Sequence, residues 1–146
     1  LSKCGSGQVF QASGRTAVAC STSFVDWMNE SGINWGVVTN GDQFQLQKVE
    51  TTGVEGRVPF VLPSKLFGVN KPAPGVFMEA VRLIDIPGIE TNEILFVGDN
   101  PYTDIIGAHG VGMTTAWIRM GRDSPGDAPH PDFIVDRVEE LKVHLA

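Results

Sequence analysis

Two rhythms of apolar and polar residues alternate along this 146-residue chain. Short, unbroken apolar runs have strand length: Trp35-Gly36-Val37-Val38-Thr39, Phe60-Val61-Leu62, Ile94-Leu95-Phe96-Val97, Thr114-Thr115-Ala116-Trp117-Ile118 and Phe133-Ile134-Val135. Between them the period changes to that of a helix. Phe24, Trp27 and Met28 fall at i, i+3 and i+4, with Ser21 or Ser23 placed to cap that helix and Gly32 to end it. Phe44 to Thr52 predicts a second helix, closed by Gly53. Pro74 suits the first position of a third, whose apolar stripe is Phe77, Ala80, Val81 and Ile84. Tyr102 to His109 predicts a fourth, and Asp136 is placed to cap a last one with Val138, Leu141 and Leu145 inside.

Strands that are apolar throughout and alternate with helices require cover on both faces. The predicted architecture is therefore three-layer α/β, with a mostly parallel sheet between helices. Residues 1–20, with Gly5, Gly7 and Gly14 among serines, predict loop. Gly5-Ser6-Gly7 opens like a dinucleotide fingerprint, but position 10 is Phe10 where a glycine is needed, and no strand signal precedes it. Residues 121–131, rich in Gly, Pro and Asp, predict a surface loop.

Composition narrows the class. A net charge of -6 argues against a general binder of nucleic acid or anionic membranes, although a local pocket can still oppose the global sign. Cys4 and Cys20 have no metal-site spacing and are expected to be free thiols. With no apolar run of membrane length and no signal-peptide pattern, the expected compartment is the cytoplasm.

Candidate chemistry gathers where strands end, the edge at which open α/β sheets bind ligands. The first run ends in Thr39-Asn40-Gly41, where a hydroxyl and helix-start N–H groups can receive an anion; the same residues also make an ordinary turn and cap. Lys71 precedes a helix, where its charge opposes the dipole. That mismatch is resolved if it points into an anionic site, although an exposed lysine in a Pro-rich loop reads the same way. Gly98-Asp99-Asn100-Pro101 then takes an apolar strand straight into two carboxylates, Asp99 and Asp104. Capping would use one of them, whereas a hard cation such as Mg²⁺ takes one or two carboxylates and keeps several waters.

The order Thr39-Asn40-Gly41, Lys71-Pro72-x-Pro74 and Gly98-Asp99-x-x-x-x-Asp104 resembles motifs two, three and four of the haloacid dehalogenase (HAD) superfamily. Phe67-Gly68-Val69 and Asp104-Ile105-x-Gly107-Ala108 extend the likeness, which runs from about Phe24 to the C-terminus. The resemblance implies a Rossmann-like core and a Mg²⁺-dependent phosphatase working through an aspartyl-phosphate on a small phosphorylated metabolite. It implies that Thr39, Asn40 and Gly41 bind phosphate and that Lys71 neutralises phosphate charge and holds the nucleophile. Asp99 would ligate Mg²⁺, and Asp104 would ligate it indirectly or orient Lys71. Gly98-Asp99 favours phosphate chemistry over the metal-free dehalogenases.

One departure stands out. The family carries Asp-x-Asp on its first, central strand, and no Asp-x-Asp occurs in this sequence. Residues 1–20 are expected to be loop or the remnant of a cap, with 21–146 the carboxyl-terminal part of the core of an N-terminally truncated member. The sheet is expected to lack its central strand. Such a chain should be inactive alone, and poorly stable, rearranged or self-associated. The other reading is a non-catalytic α/β domain binding a partner or phosphorylated ligand at the same edge. A phosphoacceptor receiver is disfavoured, because it places its acidic pair before the hydroxyl. Substrate and oligomeric state are not legible.

Overall fold

The computed structural model describes residues 8–11, 22–39, 60–63 and 68–145. Among these, six strands form one sheet: β1 (Gln8–Gln11), β2 (Val37–Thr39), β3 (Val61–Pro63), β4 (Leu95–Gly98), β5 (Thr114–Ile118) and β6 (Phe133–Val135). All pairs are parallel, and the order is β3-β2-β1-β4-β5-β6. The chain therefore runs outward from β1 to β3, returns to the middle, and runs outward the other way. That reversal creates a switch point between β1 and β4, where connections diverge and leave a crevice at the carboxyl ends of the strands.

The strands read as continuous apolar runs because each face has its own core. Val37, Leu95, Val97, Ala116 and Ile118 face one cluster, completed by Phe24, Val25 and Met28 of helix α1 (Thr22–Glu30) and by Val138, Leu141 and Leu145. Val38 and Phe96, one residue out of phase, face the other, with Val76, Phe77 and Ala80 of α2 (Pro74–Ile84) and Ala108 of α3 (Ile106–Gly110). The alternation is the strand period of two. Phe77 and Phe96 meet edge-on at 5.0 Å between ring centres, a geometry worth about 0.5–1.5 kcal/mol beyond the buried area.

Gly32 ends α1 as expected. At φ 69° it takes the left-handed conformation, and the Gly32 and Ile33 N–H groups return to the Asn29 and Met28 carbonyls. This is a Schellman close, with Ile33 and Met28 in the same apolar cluster. Trp35 and Trp117 are buried, as core residues should be.

Three expectations change. The sheet has a central strand: Gln8–Gln11 lies between β2 and β4, hydrogen-bonded to both, so part of segment 1–20 is sheet rather than loop. Backbone pairing accounts for this, since a slot flanked by two strand edges rewards any extended segment that satisfies its N–H and C=O groups. Next, Pro101 starts a wide π turn (Pro101–Ile105), in which the Ile106 N–H reaches back to the Pro101 carbonyl, and regular helix begins only at Ile106. Last, Asp136 caps nothing. Its carboxylate takes the Arg119 guanidinium and the Gly121 N–H. The turn Val138–Leu141 before α4 (Lys142–Leu145) starts instead with Glu140 accepting from the Arg137 N–H. The helix expected over 44–52 lies outside the described residues.

Candidate active site

Gly98 ends β4 because the backbone must pass an acidic side chain there. A Cβ at Gly98 would collide with the Asp104 side chain, so only glycine lets that carboxylate fold back over the strand end. Asp99 follows, half-buried, with its Oδ1 shut away from solvent. The wide turn then carries Asp104 inward. Its Oδ2 accepts the Asn100 N–H at 3.1 Å, and its Oδ1 accepts from Lys71 Nζ at 2.6 Å and more weakly from Thr103 Oγ1 at 3.5 Å.

Lys71 reaches this point from the far side of the switch. It stands just ahead of α2, whose N-cap Ala73 gives no side-chain cap. The ammonium turns into the protein, 5.9 Å from the Phe96 ring centre. Gly107 allows the approach: a Cβ there would strike the Phe77 ring and press on the Pro72 Cα, so α3 lies against the Lys71-Pro72 segment only because position 107 is bare. The side chains of Lys71 and Asp104 are 1% and 0% exposed. Burial pushes the Lys71 ammonium below its ordinary pKa and the Asp104 carboxyl above its own. The attraction and hydrogen bond between them act in the opposite sense on both. Asp99 is close enough to add a further attraction on Lys71 and a repulsion on Asp104.

Of the sequence-selected residues, Lys71, Asp99 and Asp104 thus converge. Thr39 ends β2 on the same edge. Val37, Phe10 and Val97 align across the sheet, and Thr39 and Asp99 each stand two residues beyond that row. Asn40 and Gly41 lie outside the described residues. The strand between these two ends, β1, brings Gln-Val-Phe-Gln to the middle of the edge.

The donors suit a hard divalent cation. Two carboxylates at a strand end are the hard oxygens that Mg²⁺ takes, and Mg²⁺ needs no more than one or two. Among the described residues no three His, Cys, Asp or Glu side chains gather in one place. Both Asp104 oxygens already accept from protein donors, which suits it to orienting Lys71.

Sequence reasoning missed the frame behind Asp99. The Asp99 carbonyl accepts from Trp117 Nε1 at 3.1 Å and from Arg122 Nη2 at 2.7 Å. The Tyr102 hydroxyl donates to Asp127, tying the turn to the 121–131 loop. That loop, with Pro101, Ile105 and Trp117, walls a cavity of about 270 Å³. No sequence signal distinguishes Arg122 from an ordinary exposed arginine.

A doubly covered parallel sheet with a lysine and two carboxylates at its switch point defines a Rossmann-like α/β domain with a ligand-binding edge. Residues 68–141 match the HAD-hydrolase-like family, and the chain belongs to the HAD superfamily. It is 36% identical over 119 residues to the glyceraldehyde 3-phosphate phosphatase of Methanopyrus kandleri, covering 78% of this chain and 50% of that protein. It is 28% identical to the phosphoserine phosphatase of Thermus thermophilus, covering 82% and 47%. A crystal structure of a HAD phosphatase from Thermococcus onnurineus superposes with a TM-score of 0.75 at 28% identity, covering 84% of this chain and 55% of that one. The chain spans about half the length of the glyceraldehyde 3-phosphate phosphatases it matches.

Proposed function

We propose that this chain is the phosphate- and cation-binding part of a Mg²⁺-dependent phosphomonoester hydrolase acting on a small phosphorylated metabolite. The observation that carries the reading is the Lys71–Asp104 pair, buried at 2.6 Å beside Asp99 at the sheet's switch point. A buried ion pair seldom repays its desolvation in stability, so its presence at a ligand-binding edge supports a functional reason for it.

In this reading Lys71 offsets phosphate charge, Asp104 fixes the lysine's direction, and Thr39 donates its hydroxyl to a phosphoryl oxygen beside the N–H groups of Asn40 and Gly41. Asp99 holds Mg²⁺, which when bound draws charge from the phosphoryl oxygens. Such offsetting is needed because a carboxylate attacking a phosphate dianion meets repulsion. The sequence holds no Asp-x-Asp, and β1 carries Gln-Val-Phe-Gln. Nucleophile and general acid are therefore to be supplied from outside these residues, and the chain by itself should bind without turning over.

The test has two parts. Calorimetry of the chain with Mg²⁺ and inorganic phosphate should give uptake that Asp99→Ala and Lys71→Ala each weaken; uptake indifferent to both removes the reading. In a protein whose central strand is given an Asp-x-Asp, Asp99→Ala should abolish Mg²⁺-dependent release of phosphate from p-nitrophenyl phosphate. Retained phosphate binding with no turnover in that protein would favour the non-catalytic binding domain.

A further inference from the structure

We propose that Arg122 and Trp117 are positioning residues that hold Asp99 in the direction needed to ligate a divalent cation. The inference rests on the reading that Asp99 is the ligand. Asp99 leaves the sheet just past Gly98, which is paired with Trp117 across β4 and β5. Beyond that pair no strand hydrogen bonds fix the backbone, and the carboxylate's aim depends on the peptide that follows it. That peptide's carbonyl is gripped twice, by the Trp117 indole N–H at 3.1 Å and the Arg122 guanidinium at 2.7 Å. Two donors on one carbonyl fix the plane of the Asp99–Asn100 peptide, and with it the Asp99 side chain.

Arg122 is built for this although it is exposed. Its Nη2 also donates to the Ile118 carbonyl at 2.9 Å, its Nε donates to the Arg119 carbonyl at 2.7 Å, and its guanidinium lies 5.5 Å from the Trp117 ring centre. Three carbonyls and one ring face define the place of this planar group, which a lysine's single ammonium cannot copy. The charge has the wrong sign for its neighbourhood. A cation beside a divalent-cation site repels it, so electrostatics alone would favour an uncharged or acidic residue at 122. Backbone support outweighs that repulsion in this inference, and outer-shell supports of this kind commonly carry tenfold or more of a metal site's affinity.

The opposing signs give a direct test. Free Mn²⁺ is counted by electron paramagnetic resonance during titration of the full chain, its Asp99→Asn variant, Arg122→Met, Arg122→Lys and Trp117→Phe. The unaltered chain should take up Mn²⁺ and Asp99→Asn should not. Arg122→Met and Arg122→Lys should both weaken uptake roughly tenfold, and Trp117→Phe, which keeps an aromatic ring but loses the N–H and part of the indole's volume, should weaken it less. Uptake by both Arg122 variants at unaltered affinity overturns the inference while leaving Asp99 as the ligand. Tighter uptake by Arg122→Met, with Arg122→Lys unchanged, overturns it in favour of a purely electrostatic effect. No uptake by the unaltered chain, or uptake insensitive to Asp99→Asn, removes the cation site and this inference with it. Thermal midpoints are read alongside. Arg122 is exposed, so its variants should melt close to the parent, whereas Trp117→Phe removes buried volume and should melt lower.

Discussion

Two ion pairs in this molecule have similar partners and opposite surroundings. Arg119 and Asp136 meet on the surface, 45% and 43% exposed, with two hydrogen bonds at 3.0 and 3.2 Å. Lys71 and Asp104 meet in the interior through one contact at 2.6 Å. The surface pair has the better fork geometry, yet water screens it and its worth is small. The interior pair has both charges out of water, so breaking it is expensive while replacing it whole is not. Geometry alone would rank the two wrongly. Burial decides, and it separates a pair that closes a turn from a pair that readies a site.

That contrast is sharpest under mutation. Asp104→Ala removes the carboxylate from a buried ammonium and should cost about 3–5 kcal/mol in chemical unfolding. The double variant Lys71→Met/Asp104→Leu should recover most of that loss while abolishing Mg²⁺-dependent phosphate uptake; a double variant as unstable as the single one would make the pair structural. Gly107→Ala should come next, at about 1–3 kcal/mol, because its new methyl group meets the Phe77 ring and Pro72. Gly98→Ala should lose cation uptake out of proportion to stability, since its Cβ displaces Asp104; equal losses would deny Gly98 a part in aiming the carboxylate. Asp136→Asn should change the melting midpoint least, by an amount that added salt erases.

The surface pair also predicts a pH effect of known sign. The Arg119 guanidinium, then the Gly121 N–H, hold the Asp136 carboxyl below its ordinary value of 3.8. A carboxylate depressed on folding stabilises the protein fully above that value. The contribution fades as pH falls below 3.8 and through the lower folded-state value. Acid unfolding of Asp136→Asn should lack this small component; an identical acid limb in both proteins would deny it.

Legibility in the sequence followed the range of the forces involved. The strands at 114–118 and 133–135 were readable residue by residue, because each is made of β-branched, aromatic and small apolar residues and is bounded by turn formers. Lys71, Asp99 and Asp104 were readable because their order along the chain is a pattern, and the chain brings them together. Gly98 was readable as a bend and Gly107 as part of a motif, but not as the bare spots that admit Asp104 and Pro72. Asp136 looked like a cap because capping is local, whereas the arginine that claims it comes from 17 residues earlier. Arg122 gave no signal, since its partners are backbone carbonyls, which no sequence displays. β1 was the largest surprise: four residues with glutamine at either end, among glycines and serines, carry no strand rhythm.

That last segment separates two inheritances. The seat in the middle of the sheet is defined by main-chain atoms of β2 and β4, which recognise an extended backbone whatever side chains it bears. A scaffold of this kind can therefore preserve its architecture while the reactive group at its heart is exchanged, so shape and reactivity are free to part company.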